Sequence, residues 1–456
     1  MLIRVLIKNF LSFNESTEFN LLPNNKRRRH EEHVYDSSSV NLLKVAAVYG
    51  NNAAGKTNLI KAVNLLKSIA TKKDVLLAGD LYADYIFRLR NVVDNKTPIS
   101  IALEFIANDS FYYYHTDILS NSVVNEQLSV KNCAEDVYLK IFATQYTQND
   151  RELIVYDESG NVIENYIDDR LLSYLNKNVK SSILSLQQDY PVIANSKIED
   201  AINWLSDKLR IINTEGILNN IINVMYEDIE SQEYINKILP TLSLGVDHIS
   251  VSTKPLSEIL DSENNADKQE IAAILNNMPA GVTGFSKIDS NKTPLISVTK
   301  ENDVPVVRQL MFSHHSEKGD EIELTINHQS DGTKYSIVIM YLLDKLINRD
   351  SIIFIDELEK SMHPMIVKNL LEIFLQNKNS KGQLVFTTHE SYLLDQDLLR
   401  ADEIWFVEKQ NASTRLYSLN DFKEHSAIDI QKGYLAGRYG AIPYLSAREN
   451  LSDNED

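Results

Sequence analysis

Eight consecutive residues carry the plainest chemistry in the chain: Gly50-Asn51-Asn52-Ala53-Ala54-Gly55-Lys56-Thr57. They fit G-x-x-x-x-G-K-[ST], in which backbone N–H groups cradle phosphate, a lysine reaches the β- and γ-phosphates, and a hydroxyl meets Mg²⁺. The apolar run Lys44 to Tyr49 before them suits a buried strand, and Leu59, Ala62, Val63 and Leu66 after them recur at helical spacing. Strand, glycine loop and helix together aim N–H groups and a helix N-terminus at phosphate oxygens. A chance match in a chain this long is roughly a one-percent event. Gly50 to Asn58 are therefore the candidate nucleotide-binding residues.

A second set of reactive side chains lies in the last third. Ser351-Ile352-Ile353-Phe354-Ile355-Asp356-Glu357 is an apolar run ending in two carboxylates. A buried parallel strand would deliver both at its carboxyl end, where ligands bind in open α/β sheets. Asp356 suits a Mg²⁺ shell, as a Walker B aspartate does, and Glu357 suits the polarising of an attacking water. Gln383 to Thr388 is another apolar strand, and it ends on His389. That histidine can hydrogen-bond a γ-phosphate and orient the water, or it can cap the helix that follows. Between the two strands, Ser361-Met362-His363 precedes Pro364, a residue favoured in the first turn of a helix. Ser330-Asp331-Gly332 precedes the apolar stretch Lys334 to Ile347. Its serine is a good N-cap, and a helix N-terminus there is a second anion site. Two phosphate-type sites far apart in sequence point to one being offered to another subunit.

The elements that must position these groups can be sketched from periodicity. Residues 1–49 read as strands, with Ile3 to Ile7 and Thr17 to Leu21 alternating around a turn. From Pro98 to Asp157 alternation resumes, broken at Asn108-Asp109, Asn121-Ser122 and Gly160-Asn161, which predicts an antiparallel meander. From 166 to 275 the period becomes helical. Ile198, Ala201, Ile202, Leu205 and Leu209 form one stripe, and Leu218, Ile221, Ile222, Met225 and Ile229 form another. Pro191, Pro240 and Pro255 interrupt these helices and argue against a long coiled coil. Residues 276–310 read as loop-rich, with short strands near Leu295–Val298 and Val304–Val307.

Composition sets the bounds. The chain has 456 residues, 43% hydrophobic and 24% charged, with a formal net charge of −18. That balance argues against a generally basic nucleic-acid binder, and Lys26 to Arg29 reads as a solvated basic loop. The lone Cys133 cannot form an internal disulfide, which fits a reducing cytoplasm. The apolar run at Met1 to Val5 is too short for a signal peptide, and no stretch is long enough to span a bilayer. The expectation is a soluble cytoplasmic protein. His30-Glu31-Glu32-His33 and His314-His315 raise the question of a metal, but neither has the spacing of a zinc motif, and the first reads as a solvated segment.

The motif order (P-loop, long insertion, serine–glycine signature, paired acids, loop, histidine) resembles the ABC-type ATPase heads of the SMC and RecF group. Ile7-Lys8-Asn9-Phe10-Leu11-Ser12-Phe13 looks like the first strand and turn of those heads. Gln329 to Lys334, Asp356 to Pro364, Arg400 to Lys409 and Lys432 to Pro443 narrow the resemblance to compact ATPases of bacterial antiphage defence and abortive infection, the RloA and AbiL type. The resemblance covers about 1–130 and 310–445.

It implies an α/β fold: an ABC-ATPase-type P-loop head with a flanking antiparallel β block and a mainly helical insertion. The expected division is 1–165 for the N-terminal half, 166–310 for the insertion and 311–456 for the C-terminal half. It further implies ATP and Mg²⁺ as cofactors. Lys56 would contact the β/γ-phosphates, with Thr57 and Asp356 at the metal, Glu357 as catalytic base and His389 as switch. Ser330 and Gly332 would close over the nucleotide of an opposite protomer, with Ser361 and His363 lining the seam. A homodimer or higher oligomer, with a separate nuclease or toxin effector, is the implied assembly. A DNA-repair ATPase of the RecF kind is the alternative, and a self-contained nuclease is disfavoured because Asp402-Glu403 reads as the end of a loop. Two departures stand out: Asp331 replaces the usual second glycine of the signature, and the region near Phe87 to Asn91 holds no Q-loop glutamine.

Overall fold

The computed structural model describes residues 1–36, 40–77, 79–90, 96–132, 136–147, 150–178, 180–255, 285–288, 294–301, 304–422 and 429–442. Asn91, Cys133, Gly281, Gly284, Pro443 and the acidic stretch Glu449 to Asp456 lie outside the described residues. The chain divides into two compact units. The first comprises Met1–Ile211, Asp350–Glu357 and Gly382–Asp456, and the second Ile212–Arg349 and Leu358–Lys381.

Among the described residues, two large sheets build most of the first unit, and a small pair, Val34–Tyr35 with Leu42–Leu43, accompanies them. In the large antiparallel one, strand Leu2–Lys8 lies between Thr17–Asn20 and Ile99–Ala107. The meander then continues through Ser110–Leu119, Ser122–Asn132, Val137–Thr147 and Asp150–Val155 to the far edge. Ile99, Ile101, Leu103 and Phe105 all point into the core, as their period of two requires. The tight turns carry positive φ at Asn108 and Asp109, and at Ser120 and Asn121. Such turns match the twist of the strands they join, and Asn and Asp tolerate that backbone better than bulkier residues.

The second sheet runs Leu209–Ile212, Ile352–Ile355, Gln383–Thr388, Val45–Gly50, Ile404–Gln410 and Ser413–Ser418. The pairings among 352–355, 383–388, 45–50 and 404–410 are parallel, and Ser413–Ser418 turns back to pair antiparallel. Val45 to Gly50 is buried along its whole length, which explains its unbroken apolar run. The buried Gln383 side chain ties the two sheets: it accepts from Leu2 N at 2.6 Å and donates to Leu43 O at 3.0 Å.

One core spans these elements and includes Val48, Leu59, Val63, Phe105, Trp204, Phe354 and Val385. Phe105 stacks on Trp204 with centroids 4.0 Å apart. A fully buried ion pair, Arg151 to Glu126 at 2.7 Å, fixes the short helix Ile183–Asp189 against the meander. The Glu126 carboxylate also accepts from Ile183 N at 2.6 Å, at the helix N-terminus. Burial pushes the Glu126 carboxyl above its ordinary range and lowers the Arg151 guanidinium, and the attraction between them offsets part of that desolvation.

Among the described residues, the second unit includes the short helices Thr214–Asn219, Ile221–Glu227 and Ile229–Ile238 and the longer Asp331–Asn348 and Pro364–Gln376. They accompany an antiparallel sheet of His248–Pro255, Val304–His315, Pro294–Glu301 and Phe285–Ile288, with Glu321–Thr325 also paired to Val304–His315. The buried Lys345 ammonium joins the helices by hydrogen-bonding Asp228, Ser231 and Asp344.

Several expectations from periodicity need correction. Among the described residues the insertion holds strands as well as helices: His248–Pro255 and Pro294–Glu301 both pair with Val304–His315 in an antiparallel sheet. The first stripe ends early: the helix Ser196–Asn203 passes through a single π turn, and Leu209 begins a strand that extends the parallel sheet. The second stripe is three helices rather than one, broken at Asn220 and Asp228, and Ile229 is 62% exposed. Residues 166–211 pack with the N-terminal sheet, and the helices Asp331–Asn348 and Pro364–Gln376 pack in the second unit. Among the described residues, no helix is long and apolar enough to cross a membrane.

Candidate nucleotide site

The P-loop emerges from the strand Val45–Gly50 and enters the helix Lys56–Thr71 with Gly55 as its N-cap. Both glycines are required by their surroundings. A Cβ on Gly50 would run into the Val407 carbonyl oxygen of the neighbouring strand. Gly55 has φ +119°, and a Cβ there would run into Thr414 Oγ1 and lie 2.8 Å from Ser12 Oγ. Asn52, Ala53 and Thr57 are exposed on the crest of the loop.

A brace lies beneath this loop. Thr414 Oγ1 donates to Ala54 O at 2.7 Å and lies 2.6 Å from Ser12 Oγ, which in turn accepts from Asn58 Nδ2 at 2.7 Å. The Asn58 amide is thus engaged in supporting the loop. Neither Ser12 nor Thr414 stands out in the sequence as a support for the P-loop. The brace joins positions 402 residues apart, a distance no local pattern reports.

Because the strands are parallel and in register, their carboxyl ends bring the reactive side chains together. Asp356 follows Ile355, His389 follows Thr388, and Thr388 pairs with Tyr49 beside Gly50. Thr57 Oγ1 donates to Asp356 Oδ2 at 2.7 Å. The other Asp356 oxygen accepts from Thr387 Oγ1 at 2.5 Å, and that same hydroxyl accepts from Glu357 N at 2.8 Å. Glu357 itself sits at φ 53°, a left-handed backbone that a non-glycine residue adopts only when held there. Thr387, fully buried, does the holding.

The Lys56 ammonium donates to Gly50 O at 2.7 Å and Asn51 O at 3.1 Å, and it lies 3.3 Å from His389 Nδ1. An ammonium only donates, so Nδ1 accepts and the ring proton belongs to Nε2. Nε2 faces Glu357 Oε1 at 3.6 Å. The histidine therefore bridges the lysine and the glutamate. The structure brings Lys56, Thr57, Asp356, Glu357 and His389 to one edge of one sheet.

The remaining candidate residues belong to the second unit. Ser330 is the N-cap of Asp331–Asn348, and its Oγ accepts from Thr333 N at 3.1 Å. A Cβ on Gly332 would lie 2.8 Å from Ser361 O, so the glycine permits the approach of that loop. Ser361 has φ 59° and is exposed. His363 caps the helix Pro364–Gln376 by accepting from Met365 N at 3.2 Å, and Pro364 occupies the first turn.

The segment His30 to His33 is not the solvated stretch that its charge suggested. His33 is 2% exposed and lies 3.0 Å from the fully buried Glu403 carboxylate. Asp402 is likewise buried and paired with Arg400 at 2.8 Å, which accounts for that acid pair as structural. Of the basic run, Arg27 hydrogen-bonds Asn420, while Lys26, Arg28 and Arg29 are exposed.

Residues 195–395 match a family model described as an AAA domain, putative AbiEii toxin of a type IV toxin–antitoxin system. The match takes in Ser330, Asp356, Glu357 and His389. Over 466 aligned residues the chain is 22% identical to Endonuclease GajA of Bacillus cereus (strain HuB5-5), covering 91% of this chain and 62% of that protein's length. Three solved SMC heads are also similar. One, bound to the C-winged helix domain of ScpA, is 12% identical with a TM-score of 0.46, covering 91% of this chain and 97% of that one. The head domain from Thermotoga maritima is 11% identical with a TM-score of 0.38, covering 91% and 98%. The Pyrococcus furiosus head with an extended coiled coil is 12% identical with a TM-score of 0.42, covering 96% and 98%. Strand order and motif placement carry the fold assignment by themselves. The chain has the fold of an ABC-type P-loop ATPase head, and it resembles the ATPases of antiphage defence and abortive infection.

Proposed function

We propose that this protein binds and hydrolyses ATP with Mg²⁺, that nucleotide drives association of two copies, and that the cycle regulates a separate effector in an antiphage defence system. The observation that supports it most is the unbroken hydrogen-bonded path from Thr57 through Asp356 and Thr387 to the Glu357 backbone. Bound ATP would supply the phosphoanhydride and Mg²⁺ the positive charge that offsets charge developing on its phosphates, with Lys56, Thr57 and Asp356 as the residues that would hold them.

The residues fit such a ligand. Thr57 Oγ1 and Asp356 Oδ2, 2.7 Å apart, are the hydroxyl and carboxylate oxygens that a hard octahedral cation accepts. The Lys56 charge is held over the mouth of the loop, where the terminal phosphates are recognised. Glu357 is 54% exposed at its side chain, so its carboxylate can take a proton from water while its backbone stays fixed. His389, protonated on Nε2, orients that carboxylate and carries the state of Lys56 to it.

Association rests on the resemblance. Ser330, Gly332, Ser361 and His363 would face the nucleotide of a second copy, so ATP would act as a ligand that favours the dimer. The separate effector rests on the same resemblance, and the chain spans 62% of the length of the endonuclease relative.

Glu357→Gln tests the reading. Removing a general base costs roughly 10²–10⁴ in rate, so ATP turnover should fall by that factor while nucleotide binding persists. The same variant should accumulate a nucleotide-bound dimer in light scattering. A monomer fraction unchanged by ATP would refute the association, and unchanged turnover would refute the role of Glu357.

A further inference from the structure

Away from the nucleotide site, two histidines and a glutamate converge at the loop before the P-loop strand. We infer that His30, Glu32 and His33 form a site for one divalent transition-metal ion of the zinc class, with His30 Nδ1, a Glu32 carboxylate oxygen and His33 Nε2 as ligands. One ligand atom from each of these residues lies within 4.8 Å of the other two. His30 Nδ1 is 3.1 Å and His33 Nε2 3.8 Å from Glu32 Oε1. A tetrahedral shell with bonds of about 2.0–2.1 Å sets its ligand atoms about 3.3 Å apart. The observed spacings bracket that edge.

The outer ring nitrogens decide which lone pairs face inward. His30 Nε2 is 2.8 Å from the Gln396 carbonyl oxygen, which can only accept, so the proton sits on Nε2 and Nδ1 offers its lone pair. His33 Nδ1 is 3.0 and 3.2 Å from the two oxygens of Glu403, and with that carboxylate ionised the ring proton sits on Nδ1 and Nε2 offers its lone pair. A carboxylate or backbone carbonyl on the outer nitrogen is the arrangement that fixes the tautomer of metal-bound histidines. Two imidazole lone pairs and a carboxylate then meet with no hydrogen between them. A cation relieves that repulsion. A single proton serves one pair of these atoms, whereas a metal ion serves all three.

The backbone is shaped to this end. His30 adopts a left-handed conformation at φ 54°, and the 3₁₀ turn Glu31–His33 brings the two rings into a stack with centroids 4.7 Å apart. Behind them Arg400 secures the scaffold: Nη1 donates to Arg29 O at 2.8 Å, and its backbone N donates to Glu403 at 2.7 Å. The inner ligand His33 is 2% exposed, while the His30 and Glu32 side chains are 20% and 32% exposed. An ion can therefore enter from solvent and keep a water in its fourth position. Two imidazoles and one carboxylate favour zinc-class ions over Mg²⁺ and Ca²⁺, which prefer all-oxygen shells. Such an ion would tie the basic loop to the segment after the switch histidine, through Glu403 and the Gln396 carbonyl.

The test uses the full-length protein, stripped with a chelator and titrated separately with ZnCl₂ and CoCl₂. One tightly bound ion per chain is expected by elemental analysis after desalting, with visible d–d absorption for the cobalt form. His30→Ala and Glu32→Gln should each weaken binding by at least about tenfold, as loss of a ligand or its support does. Glu403→Gln, which alters the outer partner of His33 and keeps one oxygen to accept from Arg400 N, should weaken it less. Neither His30 nor Glu32 touches the nucleotide site, so ATP turnover with Mg²⁺ should be retained in both variants and reports that they are folded. Substoichiometric binding by the parent, or equal binding by a His30→Ala/Glu32→Gln double variant, overturns the inference. So does a cluster that only exchanges a proton, with no cobalt absorption at saturating CoCl₂.

Discussion

Thr387 does more at this site than its place in an apolar strand announces. Its hydroxyl donates to Asp356 and accepts from Glu357 N, so one buried oxygen sets both the Asp356 carboxylate and the strained backbone of Glu357, the proposed base. Thr387→Val keeps the β-branched shape and removes only that oxygen. Without it, Glu357 can leave its left-handed conformation and Asp356 can rotate. Small misplacements of reacting groups cost up to about 10² in rate, so on the proposed reading turnover should fall about 10- to 100-fold while ATP affinity, which that reading assigns to Lys56 and the loop, changes little. Thr387→Ser should retain most of the activity. Steady-state kinetics with a separate nucleotide-binding titration would separate the two effects. A turnover within twofold of the parent would show that the hydroxyl is mere packing.

At the scale of elements, the parallel sheet explains why glycine at position 50 is a matter of stability as well as of phosphate binding. Its Cα faces the Val407 carbonyl so closely that a methyl would wedge two paired strands apart. Gly50→Ala should cost about 1–3 kcal/mol, the usual penalty for overpacking a core, and lower the melting temperature without nucleotide present. A melting temperature equal to the parent's would mean that the strands yield more easily than their burial implies. In the second unit, Asp228 caps the helix Ile229–Ile238 and pairs with Lys345. Burial pushes its carboxyl up, but hydrogen bonds from Lys345 and Ser231 outweigh that and hold it below its ordinary 3.8. A depressed carboxylate contributes stability that is present above the unfolded value and lost as pH falls through the folded one. The urea midpoint should therefore drop below about pH 4. In Asp228→Asn, which keeps a capping oxygen but no charge, that drop should be shallower, and an identical pH profile would rule the pair out as its source.

The same elements show what a sequence can disclose. The strand, loop and helix around Gly50 are legible because glycine spacing and helical period are local. The apolar strands ending at Asp356 and His389 are legible because burial on both faces leaves an unbroken run. Leu209 reads as helical from spacing, since only its pairing in the sheet makes it a strand. His33 reads as solvated because its partner Glu403 is 370 positions away. Ser12 and Thr414 give no signal, since a hydroxyl under a loop looks like any other hydroxyl.

For the whole molecule, the sharpest consequence of the proposed cycle is that no single copy carries a complete catalytic site. Each nucleotide would be bound by Lys56 and Thr57 of one protomer and closed over by Ser330 and Gly332 of another. Two variants divide these roles. Lys56→Ala removes the phosphate-binding ammonium and leaves the serine–glycine turn intact. Ser330→Arg places a bulky cation at an exposed helix N-terminus and leaves the P-loop intact. Each variant alone should lose nearly all turnover, because every site in a homodimer then lacks one half. Mixed in equal amounts, they form dimers of which about half are mixed, and symmetry gives each mixed dimer one intact site of two, so roughly a quarter of parental turnover should return. The recovery should depend on total protein concentration, as an association does. If both halves of the site came from one chain, mixing would restore nothing at any concentration. That outcome would leave the P-loop chemistry standing and remove the dimer from the proposal.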